Sequence, residues 1–256
     1  MATLLVPPPS PTAASPRSAV PPTQSPPIKL PSVAGGGRTL AEYAQFFALD
    51  VPALKNRDVL DVAAGPSSFV AEACARGIDA VAVDPRYGST PDSLATHVQL
   101  DDASRRTQLR ARPELFRRRA FASCETAEAD RRSAAQRFLT DYETHFVHGR
   151  YVGGALPRLP FFDNAFDLVL CAHLLFIYAK RFELEWQVAA CRELVRVSAG
   201  EVRVHPVCGA DGKPYPKLAA LRRELRADGI GSEVVRVDYE FFIGSSAMLV
   251  LKKGTS

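Results

Sequence analysis

Apolar and polar positions along the chain alternate between two periods. Short runs that are alternating or almost wholly apolar predict seven strands. These are VLDVAA from residue 59, DAVAVD from 79, RYVGGAL from 150, FDLVLCAH from 166, EVRVHPV from 201, SEVVRVDYEF from 232 and MLVLKK from 248. Between them the period lengthens. TLAEYAQFFAL carries Leu40, Tyr43, Phe46 and Phe47 at helical spacing, SSFVAEACARG reads as a helix stopped by Gly77, and two more helices are predicted near 181–196 and 216–228. Strands interleaved with helices predict an α/β fold: a doubly wound, seven-stranded, mostly parallel sheet. The last two strands follow each other with no helical crossover between them, so at least one of them is expected to run antiparallel.

One stretch breaks the alternation. About 60 residues separate the second strand from the third, where a helix and its loops need roughly half that number. Ala135, Phe138, Leu139, Tyr142 and Phe146 form an apolar stripe there, and Pro113 is placed to open another helix. Residues 102–149 therefore read as a helical insert after strand 2, a lid or substrate cap within a domain spanning 38–256.

Composition changes the picture at the N-terminus. Ten of the 20 prolines fall in residues 1–31, followed by a Gly run at 35–37, so residues 1–37 are expected to be a disordered Pro/Ser/Ala-rich tail. Their lack of acids also suits an organelle transit peptide, which leaves two expectations open: a cytoplasmic protein or an organelle-targeted one. The longest nearly apolar run, 168–179, is too short to cross a bilayer and contains His173, so no membrane partner is expected. The five cysteines form no CxxC pair, which argues against a disulfide framework. The net charge is +4, and three of those charges precede the first acid, so the rest of the chain is not a nucleic-acid polycation as a whole.

The chemistry is concentrated in the first strand-turn-helix-strand unit. AAGPSS places small residues where strand tips deliver ligands, and Asp84 stands 19 residues after Gly65 at the next strand's tip, where a carboxylate accepts from ribose hydroxyls. Of the three glycines of a dinucleotide fingerprint only Gly65 is present, with Ala63 and Ser68 in the other two places, so a pyrophosphate fits poorly. Asp61, just before the turn, would repel a diphosphate and attract a cationic amino-acid moiety.

These motifs resemble those of class I S-adenosylmethionine-dependent methyltransferases, in particular the small-molecule kind often labelled type 11. VLDVAAGPSSF is similar to their first motif, AVAVDP to their second, and LPFFDNAFDLVLCAH, residues 159–173, to their LPF-x-D-x-S-F-D-x-V stretch; the likeness spans roughly 38–253. It implies a Rossmann-like methyltransferase fold, S-adenosyl-L-methionine as cofactor and no metal. It also implies cofactor contacts from Asp61, Ala63, Gly65, Pro66 and Asp84, with Gly154 and Ala155 where relatives contact the adenine and Cys171 lining the cleft. His173, at the tip of the fourth strand, is the candidate general base, with a buried structural histidine as the alternative. Tyr43, Phe46 and Phe47 are candidates to face the sulfonium or, alternatively, to pack the helix on the sheet.

The implied reaction is in-line methyl transfer to a small or medium-sized acceptor, which the sequence does not specify; the oligomeric state is equally open. A second reading treats the chain as a non-catalytic relative that binds RNA or a protein partner. It rests on Arg105, Arg106, Arg110, Arg112, Arg117, Arg118 and Arg119, against one acid, Glu114. A solvated or internally paired face is the plainer account of that strip. The same holds for His145 and His148, expected near a helix C-terminus, and for Asp238, Tyr239 and Glu240, which mark either a cleft wall or an edge strand.

Overall fold

The computed structural model describes residues 36–111, 121 and 123–254. Its sheet has seven strands in the order β3-β2-β1-β4-β5-β7-β6: β1 Val59–Val62, β2 Ala80–Asp84, β3 Tyr151–Gly153, β4 Phe166–Ala172, β5 Ser198–His205, β6 Ile230–Arg236 and β7 Ala247–Lys253. Five strands pair in parallel, and β7 alone reverses, lying antiparallel to both β5 and β6. All four residues of central β1 are buried, as expected of a parallel strand covered on both faces.

Among the described residues six α-helices cover the sheet: α1 Leu40–Phe46, α2 Phe69–Cys74, α3 Pro91–Ala111, α4 Cys124–His145, α5 Leu184–Val197 and α6 Leu218–Ala227. Alternate strand residues feed two cores. Leu60, Val62, Val169, Cys171, Val202 and Val204 pack under α5 and α6, while Val59, Ala80, Ala82, Leu168 and Leu170 pack under α1 to α4. The doubly wound arrangement follows directly. Caps fix two helix starts: Thr39 Oγ1 accepts from Glu42 N (3.2 Å) and Ser123 Oγ from Thr126 N (3.1 Å).

Three sequence expectations need revision. The helical region between β2 and β3 begins at Pro91 rather than 102, because proline at a first helical position starts α3. Pro113 lies outside the described residues. The α4 stripe of the expected lid or cap turns inward: Phe138 and Tyr142 are fully buried against Tyr87 and Tyr151, so α4 contributes to the core. Strand β6 ends at Arg236, leaving Asp238, Tyr239 and Glu240 in the loop to β7; Tyr239 turns inward and Asp238 faces solvent. No helix among the described residues is long and apolar enough to cross a membrane.

Candidate active site at the carboxyl edge of the sheet

The turn after β1 is built by backbone geometry. Ala63 and Gly65 both take positive φ (56° and 54°), a conformation natural to glycine and costly for alanine. A Cβ placed on Gly65 would meet nothing within 4 Å, so the backbone there faces open space. Asp84 braces the turn from β2: its Oδ2 accepts from Gly65 N (3.1 Å) and its Oδ1 from Arg86 N (3.0 Å). Tyr87 donates to the Gly65 carbonyl (2.5 Å). A carboxylate has about four acceptor positions, so each Asp84 oxygen keeps one for a ligand hydroxyl. Burial pushes the Asp84 carboxyl upward, and the two N–H bonds resist that shift.

Asp61 is fully buried beside this turn, and both of its oxygens accept from Tyr43 Oη (3.2 and 2.9 Å). Burial raises its pKa to about 8, against the Tyr43 bond. Tyr43 in turn stacks on Phe69 with centroids 4.4 Å apart, while Phe46 and Phe47 have no exposed surface. Of the two expectations for these rings, packing is the one observed. The start of α2 is closed as well: the Arg38 carbonyl accepts from Ser68 N (2.9 Å), Ser67 Oγ (3.0 Å) and Ser68 Oγ (3.3 Å). That main-chain cap takes the place where a pyrophosphate would sit.

A second cluster adjoins the first. Arg131 of α4 donates from Nη1 to Glu42 Oε2 and to the Gly37 carbonyl (3.3 Å), and Tyr239 donates to Glu42 Oε1 (2.7 Å). Burial pushes the Glu42 carboxyl up, but Arg131, Arg38 and these hydrogen bonds outweigh it and hold it below the usual range. The Arg131 guanidinium lies 5.3 Å from the Phe121 ring and 5.1 Å from the Phe241 ring, which meet each other edge-on with centroids 5.4 Å apart. His173 has φ of +56° at the tip of β4, with its ring 5.4 Å from Phe46, 5.3 Å from His205 and 6.3 Å from Phe242. Burial, then the charges of Arg38, His205 and Arg131, push its pKa well below the ordinary imidazole value. Among the described residues, five polar positions here are buried without a hydrogen-bond partner: Arg38 Nε, Arg131 Nη2, both ring nitrogens of His173 and His205 Nδ1.

No protein-family model matches the chain. An uncharacterized protein of Methanocaldococcus jannaschii is 27% identical over 218 residues, 85% of this chain and 95% of that one. Among solved structures, the chain is similar to the magnesium protoporphyrin IX methyltransferase of Synechocystis PCC 6803 with bound S-adenosylmethionine (14% identity, TM-score 0.43, 78% of this chain and 73% of that one). It is also similar to a TehB-like S-adenosylmethionine-dependent methyltransferase of Corynebacterium glutamicum (15% identity, TM-score 0.46, 82% and 88%). At TM-scores below 0.5 none of these likenesses extends to activity.

The structure brings Asp61, Ala63, Gly65, Pro66, Asp84 and His173 to one edge of the sheet. Cys171 falls elsewhere: it is on the opposite face from Asp61, fully buried in the core that also holds Cys191, because side chains alternate along β4. It does not line the cleft. Gly154 is held by packing, since a Cβ there would meet Pro160 Cδ at 2.8 Å and Val83 Cγ2 at 2.9 Å; no side chain can replace an adenine-contacting acid. Ala155 follows it in a bridge with Arg158.

His145 ends α4 as expected, beside the Asp141–Arg150 ion pair. The arginine strip from Arg112 to Arg119 lies outside the described residues, as do the side chains of Arg105, Arg106 and Arg110. Two functional candidates escaped the sequence reading. Arg38 counted only as one of the three charges ahead of the first acid, and Arg131 had no assigned role, although it continues the buried helical phase of Ala127, Ala134 and Phe138.

Proposed function

We propose that the protein is an S-adenosylmethionine-dependent methyltransferase acting on a small or medium-sized acceptor. The observation that carries this reading is the pairing of two buried carboxyl groups around one open glycine: Asp84 with acceptor capacity to spare, and Asp61 with no cation bonded to it. Asp84 takes the ribose hydroxyls, and Gly65 lets the ligand approach the backbone. Asp61 and Arg38 face the ammonium and carboxylate ends of the methionine portion, and the unpartnered Arg38 Nε is the donor that such a carboxylate satisfies. A diphosphate is disfavoured by the carbonyl cap on α2 and by the nearby Asp84 carboxylate.

When bound, the cofactor would supply a sulfonium methyl whose carbon an acceptor atom attacks in line, the acceptor–carbon bond forming as the carbon–sulfur bond breaks and its electron pair stays on sulfur. The protein's part is to hold the reactants in register, and alignment of this kind supplies up to roughly 7–11 kcal/mol. His173 acts there as a neutral hydrogen-bonding group. Burial first, then the charges of Arg38, His205 and Arg131, oppose its protonation, so it positions the acceptor rather than collecting its proton.

Calorimetric titration of S-adenosylmethionine and S-adenosylhomocysteine into the full chain tests the reading. Micromolar binding of both is expected. A folded protein that binds neither overturns it.

A further inference from the structure

The turn that carries Gly65 is held by hydrogen bonds rather than by packing. With no atom within 4 Å of a Cβ built there, nothing but bonding restrains a residue whose backbone rotates more freely than any other. The bond from Ser67 N to the Ala64 carbonyl that spans the turn is long, at 3.3 Å. Two shorter bonds grip the glycine itself. Asp84 Oδ2 accepts from Gly65 N (3.1 Å), which fixes the peptide plane before its Cα, and Tyr87 Oη donates to the Gly65 carbonyl (2.5 Å), which fixes the plane after it. Both torsions of Gly65 are therefore set from outside the turn. The Asp84 half of this grip belongs to a carboxylate that also serves the ligand. The Tyr87 half does not: the side chain is 4% exposed, and its one proton goes to Gly65.

Tyr87 is fixed in turn by its neighbours. Its backbone N–H bonds the Asp84 carbonyl (3.1 Å), so the two gripping residues share one turn of chain. Its ring meets Phe138 (5.7 Å) and Tyr142 (5.6 Å) of α4 and Tyr151 (5.4 Å) of β3. The next two residues are also held by α4: Tyr142 Oη accepts from Gly88 N (3.0 Å) and donates to the Ser89 carbonyl (2.9 Å). On the β3 side a Cβ on Gly153 would meet the Tyr87 carbonyl oxygen at 2.5 Å, which leaves that loop no room to shift. Burial, then the Asp84 charge, pushes the Tyr87 hydroxyl well above the ordinary phenol range, so it stays a donor.

We propose that Tyr87 is a positioning residue of the cofactor site: its hydroxyl holds the Gly65 turn in the ligand-ready conformation before the cofactor arrives, and Tyr142 of α4 acts through it. The inference rests on the methyltransferase reading above and extends that site to the helical region after β2. A turn released from Tyr87 divides its time among competing conformations, and affinity falls by the fraction that remains competent. Tyr151 supplies the contrast. It belongs to the same ring cluster, but its hydroxyl donates to Asp141 Oδ2 (2.7 Å) and not to the turn.

The test titrates S-adenosylhomocysteine calorimetrically into the full chain and into Tyr87→Phe, Tyr142→Phe and Tyr151→Phe, each checked by a melting curve. Tyr87→Phe is expected to raise Kd about 5- to 50-fold and Tyr142→Phe about 2- to 10-fold. Tyr151→Phe should stay within about twofold of wild type even where its Tm falls as far as that of Tyr87→Phe. In the absence of ligand, hydrogen exchange read by mass spectrometry over residues 63–68 should quicken about tenfold or more in Tyr87→Phe and not in Tyr151→Phe. Tyr142→Phe leaves the bond to Gly65 in place, so it carries the test if Tyr87→Phe does not fold.

Wild-type affinity in a folded Tyr87→Phe, or equal weakening by Tyr151→Phe, overturns the positioning role and leaves the methyltransferase reading intact. Unchanged affinity in Tyr142→Phe overturns the link from α4. Failure of the wild-type protein to bind S-adenosylhomocysteine overturns both the positioning role and the methyltransferase reading, whatever the exchange rates.

Discussion

Replacing Asp84 with asparagine changes one atom's chemistry while conserving shape, and it separates the residue's two duties. In the free protein the carboxylate accepts from two backbone donors, Gly65 N and Arg86 N. An amide has a single acceptor oxygen, so in either orientation its NH2 group faces one of those N–H groups. Loss of one charge-assisted bond with an unsatisfied donor costs about 1.5–3 kcal/mol. For a domain of this size that lowers Tm by roughly 3–12 °C.

The ligand side loses a comparable amount, because one ribose hydroxyl meets an amide hydrogen instead of an oxygen. A further 1.5–3 kcal/mol in binding corresponds to a Kd for S-adenosylhomocysteine raised about 10- to 150-fold. Differential scanning calorimetry and titration calorimetry read the two effects separately. An affinity within threefold of wild type would refute the assignment of Asp84 as the ribose ligand, whatever happened to Tm.

Asp61 keeps its proton in the folded state up to about pH 8, against an ordinary value of 3.8, so stability falls as pH rises through that window. Asp61→Asn should abolish this slope, worth on the order of 5 kcal/mol, and narrow the Tm difference between pH 5 and pH 8.5; an unchanged slope refutes the titration. Arg131→Met strands the Glu42 carboxylate and should cost about 3–5 kcal/mol, of which adding Glu42→Gln should return at least half, as read from urea midpoints. Additive losses would show that the pair is not coupled. Gly154→Ala forces a methyl group into Pro160 and Val83 and should lower stability by about 1–3 kcal/mol, with an unaltered Tm counting against the packing argument.

Much of this fold is legible in the sequence because its parallel strands are short, continuous apolar runs between turn residues, and the order of strands and helices follows from them. The end of β6 was not legible. Val-Asp-Tyr-Glu-Phe has the composition of a strand, yet Tyr239 leaves the ladder to bond Glu42, a contact 197 residues distant in sequence that no local pattern encodes. The site divides in the same way. Asp61, Gly65 and Asp84 belong to one compact strand-turn-helix-strand unit, so their closeness follows from local spacing.

Arg131 and Arg132 look alike in sequence, yet Arg131 is 2% exposed while the Arg132 side chain is 52% exposed. Only helical phase distinguishes them, through Ala127, Ala134 and Phe138 on the same stripe. Arg38 was unreadable for another reason: its carbonyl, not its side chain, performs the capping, and any residue has a carbonyl. Gly36 and Gly37 take part as well, their carbonyls accepting from Arg38 and Arg131.

The reversal of β7 has a practical consequence for handling the protein. Because β7 runs against its neighbours, its last residues meet the start of β6, with Gly254 N bonded to the Gly229 carbonyl, at the edge of the sheet opposite the site. Gly36 and Gly37 lie instead at the site's own rim, beside Arg131 and Arg38. A tether or fluorophore joined after residue 254 would leave the mouth of the cleft facing free solution, whereas the same group joined just ahead of residue 36 would crowd it.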